Sequence, residues 1–247
     1  MKYTEIVPRV AARQFVERYW ILETDGRVSQ TQRIVPDGRP ELIVNLGRPF
    51  ESFSDGQWHV QPESFFVGQI TAPLLVRSNG AARILGVRFW PQGAGQALRI
   101  PMHELADTVT PLADLSMRFD TERGFAAVEQ ALARRSAQPD PLIDEAVRLA
   151  AGGMWDVGQL AARLGVSRRH LERRFRDKVG ITPKLFCRIQ RFQRVFRVME
   201  EGGGGAHAAV ECSYYDQAHL VPDFREFAGE APAVLLNGDE LARHFLR

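Results

Sequence analysis

The feature that most constrains this chain is a repeat. Ser167, His170, Leu171, Phe175, Arg176, Gly180 and Pro183 recur 49 residues later as Asp216, His219, Leu220, Phe224, Arg225, Gly229 and Pro232. Each copy keeps a helix-capping residue, a His-Leu pair, a core phenylalanine, a glycine that stops a helix and a proline behind it. Seven matches in one register point to a duplicated unit. Between the copies, Thr182 and Pro183 supply an N-cap and a first helical residue, and the helix they open is expected to run to about Glu201. Leu185, Ile189, Phe192, Phe196 and Met199 share one face of it, and Arg188, Arg191, Arg194 and Arg197 lie on the other side. Glycines 202–205 then end this helix and either reverse the chain or act as a hinge.

The first copy is the last of three short helices. Leu142, Ile143, Ala146, Val147 and Ala150 form one apolar face, stopped by Gly152-Gly153. Asp156, with Gln159 three residues later, opens a second helix to Leu164, and Gly165 provides a turn. Ser167 caps the third, from Arg168 to about Val179. Three short helices with a glycine turn before the third match the helix-turn-helix.

Upstream the pattern is different. Apolar segments at Glu41–Leu46, Ser64–Ile70, Leu74–Ser78 and Arg83–Trp90 read as strands between turn signals at Pro36-Asp37-Gly38, Ser54-Asp55-Gly56 and Asn79-Gly80. Asp120 to Arg135 reads as a capped helix that either packs within its own domain or pairs two subunits, and Ser136 to Pro141 as a linker. The expected architecture is α+β: a β-rich barrel or jelly-roll-like domain over residues 1–138, then an all-α domain of two helix-turn-helix units joined by a long helix over residues 139–247.

Bulk properties narrow the function. The opening residues lack a signal-peptide core, and no run approaches the ~20 apolar residues of a membrane span, so a cytoplasmic location is expected. Cys187 and Cys212 read as core residues. His59 and His103 are too widely spaced for a cupin-like metal site, and no cofactor or catalytic constellation is expected. An alkyl-transfer enzyme fused to a DNA-binding module would need a reactive cysteine in the first domain, which has none.

Charge supplies the positive signal. Residues 1–140 carry 16 basic and 16 acidic side chains, residues 141–200 carry 13 and 6, and residues 201–247 carry 3 and 8. The basic excess is thus confined to one block, as a nucleic-acid footprint would be. With successive residues about 100° apart, Leu171 and Phe175 face the core, while Arg169, Arg173 and Arg176 fall on the opposite side. Those arginines suit guanine edges in the major groove; Glu172 suits cytosine N4, or a surface ion pair with Arg168 or Arg176. Ser167, Arg168, Arg188 and Arg191 are placed at the phosphate backbone. The linking helix spans roughly 27 Å, close to the ~34 Å between successive major-groove faces. The partner implied is double-stranded DNA. His170 and His219 each precede a core leucine and read as packing or phosphate contacts, not as metal ligands.

The stretches LAARLGVSRRHLERRFRDKVGITP (Leu160–Pro183) and YYDQAHLVPDFREFAGEAP (Tyr214–Pro232) resemble the AraC-type transcription regulators, a likeness covering about residues 141–235. PDGRPELIVNL (Pro36–Leu46) is similar to the β-rich first domain of a subset of them. The resemblance implies base contacts from the positions held by Arg169, Glu172 and Arg173. It also implies a first domain that senses a small-molecule effector, forms a homodimer, or both, and contact with RNA polymerase if the protein is an activator. For an effector, Trp20, Phe65, Phe66, Phe89 and Trp90 are candidate pocket or core residues, and Arg39, Arg77 and Arg88 candidate anion holders. The second copy departs from the family: Ser213 replaces the usual turn glycine, and Pro222 stands where a polar residue is usual. An interior proline is expected to kink that helix or to make it start at Pro222. The second unit is then expected to contribute backbone contacts through Gln217 and Arg225, or little. The alternative is a divergent regulator with weakened DNA binding that acts through protein contacts.

Overall fold

The computed structural model describes residues 1–26, 31–117, 124–134, 139–201, 205–214 and 217–230. Among these, ten strands form two antiparallel sheets. One holds β1 (Lys2–Ile6), β2 (Val16–Thr24), β9 (Ala82–Phe89), β4 (Glu41–Asn45), β7 (Ser64–Val67) and β10 (Val109–Pro111) in that spatial order. The other holds β3 (Thr31–Ile34), β8 (Leu74–Arg77), β5 (Glu51–Ser54) and β6 (Gln57–Val60). Both sheets are open, so the β-rich half is a two-sheet sandwich and not a closed barrel. Trp20, Leu22, Ile43, Phe65 and Ile84 from the larger sheet meet Val76 from the smaller in a shared core. Trp20 lies against the backbone of β9 at Gly86, where an added Cβ would fall 1.9 Å from its ring. Asp55 and Gly56 both adopt positive φ, 52° and 79°, as a tight hairpin turn between β5 and β6 requires.

The helices are α1 (Gly93–Leu98), a 3-10 turn at Met102–Glu104, α2 (Phe125–Ala133), α3 (Pro141–Ala151), α4 (Val157–Arg163), α5 (Arg168–Val179), α6 (Pro183–Glu200), α7 (Gly205–Glu211) and α8 (Gln217–Ala228). Side-chain caps set four starts: Asp140 accepts from Ile143 N, Asp156 from Gln159 N, Ser167 from His170 N and Thr182 from Leu185 N. Gly180, at φ 103°, ends α5. Residues 118–123, including the expected cap Asp120, and Arg135, expected to end that helix, lie outside the described residues. No described helix is long and apolar enough to cross a membrane.

Helix α6 forms the axis of the helical half. Phe186, Ile189, Phe192, Val195, Phe196 and Val198 are all buried, and the Phe192 ring lies 4.8–5.4 Å from those of Phe196, Phe224 and Phe227. The sandwich closes over the same helix: Val35 joins this core, Gln190 donates to the Asp37 carbonyl at 3.0 Å, and Gln193 to the Pro36 carbonyl at 2.6 Å. Gln92 and Gln96 donate to Asp144 of α3 at 2.9 and 3.1 Å. At the end of α5, glycines let backbones meet: a Cβ on Gly95 would lie 2.4 Å from the Lys178 carbonyl, and one on Gly180 2.9 Å from that of Met102.

Two irregularities sit in the second unit. Helix α8 starts at Gln217 and runs through Pro222, so the proline is interior and the expected later start does not occur. The cost is one missing bond to the Ala218 carbonyl, close to the helix start and with Pro222 exposed to solvent. Ser213 turns the chain with φ at 57°, a left-handed conformation that suits glycine. Ser213→Gly is therefore expected to raise the unfolding free energy by about 0.5–1 kcal/mol in urea denaturation, and Ser213→Val to lower it.

Candidate nucleic-acid interface

The burial of Leu171, Phe175 and Val179 fixes how α5 lies on the core. It leaves Ser167, Arg168, Arg169, Glu172, Arg173 and Arg176 exposed. None of Arg168, Arg169, Glu172, Arg173 or Arg176 has an ion-pair partner among the described residues, so the ion pair considered for Glu172 is not formed. Arg174 does the opposite: its guanidinium meets Asp140 at 2.5 Å, joining α5 to the start of α3. This exposed face of α5 opens into a groove of about 820 Å³ lined by Arg169, Glu172, Arg173, Arg174, Arg176, Asp177 and Lys178, with Thr182 and His103 at its borders. Five cations against two carboxylates make it electropositive. His103, from the 3-10 turn of the sandwich, escaped sequence reasoning because only the packing of that turn on α5 brings it there.

The second unit keeps the landmarks but not the surface. Leu220 and Phe224 are buried as Leu171 and Phe175 are, and Arg225 is exposed. Gln217 opens α8; its side chain, like those of Ala218 and His219, and the whole of Asp216 lie outside the described residues. Arg188 and Arg191, expected at the DNA backbone, are engaged within the protein. Arg188 meets Asp223 at 2.7 Å and Glu226 at 2.6 Å, and Arg191 meets Asp223 at 3.0 Å. Arg194 is likewise paired with Glu211 at 2.5 Å.

Comparison with known families bears directly on this arrangement. Residues 160–238 match a model described as a helix-turn-helix domain, and residues 4–111 match one described as a domain of unknown function. Residues 160–238 thus carry a helix-turn-helix domain of the AraC type. Among solved structures it is similar to ToxT from Vibrio cholerae, at 8% identity over 96% of this chain and 98% of that one, with a TM-score of 0.47. The DNA-binding domain of AdpA, solved in complex with a target DNA, is 32% identical over 39% of this chain and 90% of its own, with a TM-score of 0.35. The AraC-like activator CuxR is 16% identical over 81% and 88%, with a TM-score of 0.28. No curated protein matches the chain.

A buried junction ties the long helix to the second unit. Asp223 accepts from the Tyr214 hydroxyl at 2.7 Å, and the Arg191 guanidinium lies 3.9 Å from the centre of the Tyr214 ring. Burial alone would raise the Asp223 carboxyl, but the bonds from Tyr214, Arg188 and Arg191 and the charge of Arg188 outweigh it and hold it below the usual range. The two cysteines are inert by comparison: burial pushes the Cys187 thiol up to about 12 and that of Cys212 up to about 11.

A second cavity, of about 90 Å³, lies between the sheets. Trp20 and Phe65 line it; Phe66 and Phe89 are buried in the core on the other side of the large sheet, and half-exposed Trp90 donates to the Arg13 carbonyl at 2.9 Å. The arginines expected to hold an anion are already occupied: Arg77 by Glu51, Arg39 by Glu17, and Arg88 by Glu17, Asp37 and Glu41.

Asp223→Asn is expected to lower stability by on the order of 3 kcal/mol at pH 7, since it leaves half-buried Arg191 without its counter-charge and Arg188 with Glu226 alone. The depressed carboxyl stabilises the fold fully above its unfolded value near ~3.9, and loses that contribution as pH falls through the lower folded value. The gap between wild type and Asp223→Asn in urea denaturation should therefore narrow below pH 4.

Proposed function

We propose that this protein is a sequence-specific regulator of transcription that binds double-stranded DNA mainly through α5. Arg169, Glu172, Arg173 and Arg176 read bases in the major groove; Ser167 and Arg168 contact the backbone, with Gln217 and Arg225 adding backbone contacts from the second unit. The observation that carries this reading is the capped helix with its outward arginines unpaired, beside an electropositive groove. Arginine forks fit guanine O6 and N7, at about 1–3 kcal/mol of discrimination per good pair. Arg188 and Arg191 act through the Asp223 junction and not at the phosphates.

Control by a small molecule in the cavity between the sheets completes the proposal. Val35 belongs both to that cavity and to the helical core, and the neighbouring Pro36 and Asp37 carbonyls are the acceptors for α6. A ligand that shifts this segment therefore acts on the helix that joins the two units. The opposing reading, a protein that has lost specific DNA binding, draws on interior Pro222 and on the internal pairing of Arg188 and Arg191.

Selection of bound sequences with a salt titration separates the two. The expected result is a defined motif and an affinity that falls steeply with salt; no motif and a flat salt response would leave only the opposing reading. Arg173→Ala should relax preference at one base position, whereas Arg168→Ala should weaken all sequences alike and reduce the salt slope by about 1. Equal weakening of all sequences by Arg173→Ala would remove it from the base-reading set.

A further inference from the structure

The walls of the inter-sheet cavity are hydrocarbon, supplied by Leu22, Ile43, Phe65, Leu74, Val76 and Ile84 among others. Its polar end is built from Asp37, Arg39 and Glu41. Behind them stand Arg88 and Glu17, so three carboxylates share two guanidinium groups. Glu17 holds the Arg39 Nε at 2.6 Å and lies 3.4 Å from the Arg88 Nε; Asp37 pairs with the Arg88 Nη2 and accepts from the Arg39 amide at 2.9 Å. Glu41 is left with the least. Its Oε1 has the Arg88 Nη1 and the Trp20 indole N–H, both at 3.2 Å. Arg18, the next cation outward, is held by Glu5 at 2.6 Å and lies 3.6 Å from Glu17, so counting it brings in Glu5 as well and leaves the excess unchanged. The polar end thus carries one negative charge more than its two guanidinium groups balance, and Glu41 is the surplus carboxylate facing the cavity.

We propose that the cavity takes a small apolar cation, an amine on a hydrocarbon body, whose ammonium group pairs with Glu41. An anionic ligand would find every arginine occupied and would meet the surplus carboxylate. A neutral apolar ligand would fill the walls and leave Glu41 holding its proton, with no charge to pair with. Without a cation, burial pushes the Glu41 carboxyl up to about 8, the Trp20 bond opposing and Glu17 reinforcing this while Arg18 and Arg39 lower it. Tyr3, stacked on Trp20, and Glu5 complete the ionisable surroundings. An ammonium group takes the place of the proton that Glu41 otherwise holds, so binding releases that proton.

That identity deepens the effector control proposed above and rests on it only for the consequence at DNA. The test uses the full chain and three probes, 2-phenylethylamine, hexylamine and cyclohexylmethylamine, each beside its matched alcohol and carboxylate. Binding is followed by calorimetry and by tryptophan fluorescence. At least one amine is expected to bind tenfold or more tighter than its alcohol, with the carboxylate weakest. Amine affinity should rise about tenfold between pH 6 and 7, because a proton held at about 8 is displaced. Glu41→Gln keeps the shape and should bring amine and alcohol to equal, pH-independent affinity, with an unchanged melting temperature certifying the fold. Equal binding of amine, alcohol and carboxylate, no binding of any amine, or undiminished amine binding by Glu41→Gln would each overturn the ligand class. An amine that binds through Glu41 yet leaves DNA affinity unaltered would keep the ligand class and overturn the effector reading.

Discussion

Helix α6 lies between the helical core and the β-sandwich, and the polar groups on its flanks must therefore be satisfied inside the protein. Buried polar groups without partners cost roughly 1–3 kcal/mol each. Gln190 and Gln193 meet this demand at the Asp37 and Pro36 carbonyls, and Arg188 and Arg191 at Asp223. Each solution fixes a neighbour. The glutamines hold the Pro36–Asp37 loop against the helix, and Gly38 is confined there too: at φ 82°, with an added Cβ 2.7 Å from the Gln190 amide nitrogen, it accepts no other residue without strain. The arginines lock α8 onto α6. The same helix therefore sets the spacing of the two units and the seat of the first domain.

Charge is used differently in the two units as a result. On α5, one arginine is committed to architecture, Arg174 on Asp140, and the remaining outward arginines stay free of ion pairs among the described residues. On the second unit, carboxylates from α7 and α8 draw in the arginines of the linking helix. The acidic character of the chain after residue 200 is thus partly structural: Glu211, Asp223 and Glu226 are counter-ions for α6. An arginine that faces away from the apolar stripe of a helix is not thereby a solvent-facing arginine when a second helix packs along that flank.

Local chemistry was the legible part of this fold. The caps at Asp156, Ser167 and Thr182, the stop at Gly180 and the buried pairs Leu171/Phe175 and Leu220/Phe224 follow from spacing and hydrogen-bonding rules that act within a few residues. Strands β4, β7, β8 and β9 were visible as apolar runs between turns. Strands β1, β5 and β6 were not, because their mixed polar sequences become strands only through partners such as β2 and β8. The Gly93–Leu98 helix, with two glycines in six residues, was invisible for the same reason: its glycines serve close contact with Phe15 and α5, which outweighs their poor helix propensity. Arg88 shows the limit for sites. Nothing around it in the chain announces that Glu17, Asp37 and Glu41 converge on it, since each arrives from a different strand or loop.

Helix α5 gains from that non-local packing. Its C-terminal end is pressed against the sandwich at Gly95 and Met102, its middle is anchored by Arg174, and its N-terminal half projects its side chains freely. A helix supported at one end by backbone contact has little freedom to tilt, so its arginines are presented in one orientation. The linking helix is held to the sandwich by two side-chain hydrogen bonds and the packing at Gly38, which a small displacement of the Pro36–Asp37 loop would break or remake. The two units therefore differ in how they are governed as well as in what they expose. The first meets the sandwich through backbone contacts at the end of α5, and the second is joined to it through α6 and its two glutamines.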